Sequence, residues 1–232
     1  MMLKNQSHQS AGLAIFLVIS AASIGIAARF FIPGTVGQLL FIVTRIWILA
    51  LPLIWFFWVE RGKLIVSLPS QGECLAGAVL GSLMFGMILS TYWLVWQHWI
   101  NIVDVRSKAQ QIGIASPTVY LLSAFYFTVI NSLAEEYIWR WFIGRKCEIL
   151  FSRTGAIFFT ALCFTLHHII ALAAYTVNWL VVVVGSLGVF IAGAIWSWCY
   201  LTYRSLWACY ISHLLADLAI ALIGWHLLFG NM

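Results

Sequence analysis

Apolar residues run through this chain in blocks of about 20, the length needed to cross a hydrocarbon core of roughly 30 Å as a helix. The blocks cover about residues 11–32, 37–59, 73–96, 117–143, 154–174, 177–202 and 205–229. They predict an all-α polytopic membrane protein of about seven to eight transmembrane helices. No linker composition divides it, so residues 1–232 read as a single transmembrane domain. The first block also has features of a signal peptide, because Lys4 precedes it and small residues follow at Ala21 and Ala22. Its apolar run continues to Ile32, past the length of an ordinary signal core, which favours a span.

The long polar connection runs from Gln97 to Gly113. There Trp99, Ile100, Ile102, Val103 and Val105 alternate with Asp104, Arg106 and Lys108, a mixture that predicts a helix lying along the membrane surface. Composition strengthens the membrane reading. Hydrophobic residues make up 63% and charged ones 8%, where a soluble domain carries about 25% charged residues. Thirteen tryptophans include Trp58, Trp96, Trp99, Trp179 and Trp207 near predicted span ends, as in an interfacial belt. The cysteines, Cys74, Cys147, Cys163, Cys199 and Cys209, show neither a disulfide framework nor a zinc-ribbon spacing.

The net charge of +5 calls for no nucleic acid partner, because the cations sit singly or in pairs at helix ends, where they meet anionic lipid headgroups. Lys4, Arg61, Lys63, Arg145, Lys146, Arg153 and Arg204 fall on one side of a seven-span arrangement, against mainly Arg106 and Lys108 on the other. Cytoplasmic loops carry the excess of Lys and Arg, so the N-terminus is expected in the cytoplasm and the C-terminus outside.

Ionisable residues within the blocks are few: Arg45, Glu135, Glu136, Arg140, His167, His168, His213, Asp217 and His226. Each is costly in hydrocarbon, and therefore a candidate for function. Glu136 and Arg140 are four apart and can pair on one helix face. Glu135 lies about 100° around that helix, without this partner, which suits it to act as a base beside a structural carboxylate. If the next two blocks form a hairpin turning near Phe151 to Arg153, Glu135 and His168 stand equally far from the turn. His167 then points away, towards a carbonyl of a neighbouring helix. In the last block His213 and Asp217 are one turn apart, with Asp217 placed to orient the imidazole.

Taken in order, Glu135-Glu136 with Arg140, Phe164 with His168, and His213 with Asp217 resemble the three motifs of the CAAX protease and bacteriocin-processing family. Its members are intramembrane glutamic endopeptidases. The motif-bearing core is about residues 117–225. The resemblance implies an intramembrane polar cavity in which Glu135 activates water and His168 assists, with Glu136 and Arg140 supporting. His213 and Asp217 would lie near the scissile carbonyl oxygen. The family places Asn or Asp at the last position. An ionised Asp217 cannot donate to an oxyanion, so it must either carry a proton or serve only to orient His213.

Peptide hydrolysis needs a nucleophilic water, a base, donors for the oxyanion and a proton for the leaving amine, and this set can supply them without a cofactor. No Gly-x-Ser-x-Gly elbow, His-Glu-x-x-His zinc helix or phosphate-binding glycine loop occurs in the chain. The same ligand types also suit zinc, which would make a metal-dependent protease. A proton-coupled transporter would use them as a relay. A two-haem arrangement fails, because His213 and His226 find no matching pair of histidines at two levels of a second helix. Retention of every motif position argues against an inactive scaffold. The implied partners are membrane lipids and a protein or peptide substrate, lipid-anchored or carrying a C-terminal membrane anchor. A prenylated CAAX tail as substrate implies a eukaryotic host, while the compact chain also resembles bacterial members that trim peptides or C-terminal sorting anchors, for which a bacterial inner membrane is expected; the sequence fits both.

Overall fold

The computed structural model describes residues 8–63 and 68–230; Lys4 lies outside them, as does the side chain of Trp96. Among the described residues there is no strand, and seven helices are long and apolar enough to span a membrane: α1 (His8–Phe31), α2 (Gly34–Val59), α3 (Gln71–Leu94), α5 (Pro117–Leu150), α6 (Arg153–Tyr175), α7 (Trp179–Tyr203) and α8 (Trp207–Phe229). A shorter helix, α4 (Ile102–Gln111), lies in the polar connection. The chain is a multi-pass integral membrane protein.

Helix starts follow local chemistry. Ser70 opens α3 with a reciprocal capping box, its hydroxyl accepting from Glu73 N–H at 3.2 Å while Glu73 Oε2 accepts from Ser70 N–H at 2.7 Å. Asn101 caps α4 by accepting from Val103 N–H, and Ser116 caps α5 with Pro117 in its first turn. The turn between α5 and α6 falls at Phe151 and Ser152, where the hairpin is expected.

The helices form two compact units. The first comprises α1, α2, α5 from Tyr137 onward, α6 to Ala174, and α7 from Gly185, ending at Arg204. In it α1 packs on α2 and on the end of α5. Charges counted above as orienting cations turn out to be paired here: Lys146 is buried against Glu60, with Arg145 3.6 Å from the same carboxylate. Glu148 receives both terminal nitrogens of Arg204 at 2.6 Å, a bidentate pair that pushes the guanidinium pKa still higher.

The second unit comprises Pro69–Glu136, Tyr175–Val184 and the chain from Ser205 onward. Its main contact is α8 on α3. Gly77 and Gly81 make that approach close: a Cβ on Gly81 would stand 2.8 Å from Ser212 Cα, and one on Gly77 would stand 2.9 Å from the Ala208 carbonyl oxygen. Gly81→Ala is therefore expected to destabilise the protein by about 1–3 kcal/mol through overpacking beside His213. Gly86→Ala, with open space around its Cβ, should not. Thermal unfolding in detergent compares the two.

Helix α4 docks on the end of α8, where Ile100, Ile102 and Val105 pack against Tyr92, Ile223 and Leu227. Arg106 donates to the carbonyls of Leu227 and Gly230, which the end of α8 leaves unsatisfied. His226 in the last turn shares a 2.8 Å hydrogen bond with the Tyr92 hydroxyl.

Candidate functional site

Helix α5 carries the densest polar group in the membrane, and it is not a regular α-helix there. Wide π-type turns occupy Tyr126–Asn131 and Glu136–Gly144, with one short α-helical turn, Ser132–Glu135, between them. Such turns need an extra residue to close their hydrogen bonds and occur frequently at functional sites.

In the second unit four of the predicted residues meet: Glu135 and Glu136 from α5, His213 and Asp217 from α8. Glu135, Glu136 and His213 are all buried, Glu136 completely. His213 Nδ1 is 2.8 Å from Glu136 Oε1. A carboxylate only accepts, so Nδ1 carries the proton and donates it. The other ring nitrogen, Nε2, lies 3.7 Å from Glu135 Oε2 and 3.7 Å from Asp217 Oδ2. One imidazole is thus fixed by the second glutamate and presents its far side to the first glutamate and the aspartate together.

One expectation changes. Asp217, one turn along α8, is the residue expected to orient His213, but Glu136 holds Nδ1, because the packing of α5 on α8 brings that carboxylate closer. Asn131, one turn before Glu135 on α5, donates to its Oε1 at 3.0 Å. The Ser132 hydroxyl lies 2.8 Å from Asp217 Oδ2. Neither Asn131 nor Ser132 is ionisable, so a search for charges passes over both. The signal was a pair of polar residues one turn before the glutamates in an apolar run.

The first unit holds Arg140 and His168. Arg140 is completely buried, its guanidinium 4.5 Å from the centre of the Phe164 ring and 5.2 Å from that of Trp196. Aromatic faces attract a desolvated cation. His168 Nδ1 stands 2.9 Å from the Phe164 carbonyl, one turn back on α6. A carbonyl also only accepts, so Nδ1 donates, and Nε2 is the ring nitrogen left for other chemistry. His167 stacks on Trp139 with the rings 7° from parallel and 5.0 Å apart. Trp139 is buried and walls this group, whereas Trp141 stacks on Tyr137.

A protein-family model described as Rce1-like, type II CAAX prenyl endopeptidase, matches residues 117–219. The match covers Glu135, Glu136, Arg140, His168, His213 and Asp217, and agrees with the family to which the motifs point. No curated protein and no solved structure matches the chain.

Proposed function

We propose, from the match of residues 117–219 to the CAAX prenyl endopeptidase family model, that the chain is an intramembrane glutamic endopeptidase. It hydrolyses a peptide bond near the C-terminus or membrane anchor of a protein or peptide substrate. The observation that carries this reading is the His213 imidazole, bonded to Glu136 at one nitrogen and standing 3.7 Å from both Glu135 and Asp217 at the other.

In this mechanism Glu135 removes a proton from the water that attacks the scissile carbonyl, and later returns it to the leaving amine. His168 assists in the role its motif implies, with Nε2 as the accepting nitrogen. His213, held through Nδ1 by Glu136, donates from Nε2 to the developing oxyanion in its doubly protonated form. Asp217 adds a donor there when it carries a proton. Arg140 has the supporting role its motif implies. The apolar surroundings exclude bulk water and strengthen each of these interactions. Substrate reaches the site from the bilayer, with the N-terminus of the enzyme in the cytoplasm of a bacterial cell. No metal is required.

The test is Asp217→Asn, assayed on a farnesylated CAAX peptide across pH, with and without a chelator. Asn donates to an oxyanion, ligates metal poorly and cannot relay a proton. Retained or raised activity is expected, most clearly at high pH, where an aspartate has lost its proton. Chelator-sensitive cleavage that vanishes in Asp217→Asn would instead establish a zinc enzyme. Proton flux without cleavage would establish a transporter.

A further inference from the structure

Two buried residues outside the three motifs grip the two acids that face His213. Asn131 is 1% exposed and donates from Nδ2 to Glu135 Oε1 at 3.0 Å. Ser132, fully buried, has its Oγ 2.8 Å from Asp217 Oδ2 and 2.6 Å from the Thr128 carbonyl oxygen, with the Phe127 carbonyl at 3.2 Å. A serine that merely bonded back to its own helix would need only the Thr128 carbonyl. Here its oxygen also touches a carboxyl group 85 residues away.

The hydroxyl has one proton and several oxygens around it. Either it donates to the Asp217 carboxylate, or it donates to the Thr128 carbonyl and accepts a proton from Asp217 in its acid form. Both arrangements tie Oδ2 to Ser132. Neighbouring residues on a helix point about 100° apart, so a single turn of α5 holds its own glutamate with one residue and reaches α8 with the next. We propose that Asn131 and Ser132 are positioning residues that set the places of Glu135 and Asp217 on either side of His213 Nε2. This rests on the endopeptidase reading for its effect on catalysis. Misplacing a reacting group by about 1 Å costs on the order of 100-fold in rate.

The experiment uses the full chain in detergent with a farnesylated CAAX peptide as the probe. Asn131→Leu keeps the volume and Ser132→Ala keeps the helix. Each is expected to lower kcat by about 10- to 100-fold with KM and the thermal midpoint unchanged, and Ser132→Thr should recover most of the loss. In an Asp217→Ala background, Ser132→Ala should add nothing, since its partner is already gone. An equal loss in both backgrounds overturns the role of Ser132, and an unchanged kcat in Asn131→Leu overturns that of Asn131.

A second measurement does not depend on cleavage. The chain has only two aspartates, Asp104 and Asp217, so infrared spectra of protein carrying carboxyl-labelled aspartate report mainly on this contact. Ser132→Ala should shift a labelled band that disappears in Asp217→Ala, and no shift overturns the proposal. If wild type leaves the peptide uncut while the band still shifts, the endopeptidase reading falls and the Ser132 contact with Asp217 stands.

Discussion

Glu135→Gln is expected to leave a folded protein that no longer turns over, with kcat down by about 1,000-fold or more. The substitution keeps the shape of the side chain, and glutamine still offers Asn131 an acceptor oxygen in place of Oε1, so the surroundings of this buried position are preserved. What disappears is the ability to take a proton from water. Glu135→Ala should lose as much activity, and His168→Ala should abolish cleavage as well, because the parts of a water-activating unit fail together rather than additively. Circular dichroism and thermal unfolding establish the fold of each variant, and cleavage of the farnesylated peptide measures the loss. Turnover near that of wild type in Glu135→Gln would assign the base to another residue.

Glu136→Ala should damage the molecule in a different way, lowering stability and activity together. Glu136 is completely buried and accepts the Nδ1 proton of His213 at 2.8 Å. Removing one partner of a buried charged pair costs about 3–5 kcal/mol, and here it takes away the carboxylate within hydrogen-bond distance of Nδ1. The imidazole would also lose the contact that sets its tautomer and tilt. Glu136→Gln retains an acceptor oxygen at the same place, so most of the stability should return while the electrostatic support of His213 does not. Thermal midpoints and cleavage rates of the two variants separate the structural part of the role from the electrical one.

The seven spans were legible because their signal is long and simple: blocks of apolar residues, ended by charge or by turn-forming residues. The turn at Phe151 and Ser152 and the short helix Ile102–Gln111 were legible for the same reason. Partner choice inside the membrane was harder to read. The spacing of Glu136 and Arg140 suggests a local pair and gives no sign that Glu136 also bonds His213, 77 residues away, or that Arg140 lies against the rings of Phe164 and Trp196. Such contacts depend on how helices pack, which periodicity along one helix does not encode. Lys146 misleads in a similar way, because a cation at a span end looks interfacial until Glu60 is seen beside it. Asn131 and Ser132 were visible as letters but carried no charge to attract notice.

The wide turn at Tyr126–Asn131 bears on all of this as a matter of phase. Helix α5 is fastened to α8 at two levels: Tyr120 donates its hydroxyl proton to the Ala221 carbonyl at 2.7 Å, and Glu136 receives His213. Sixteen residues separate Tyr120 from Glu136, and in an unbroken α-helix, at 100° per residue, they would point roughly 160° apart. Both could not then face the same neighbour. A stretch that spends more residues on each turn winds back part of that difference, as a vernier brings two misaligned scales into register. The irregular segment thus lets one helix be anchored near its start and still deliver its glutamates to the histidine.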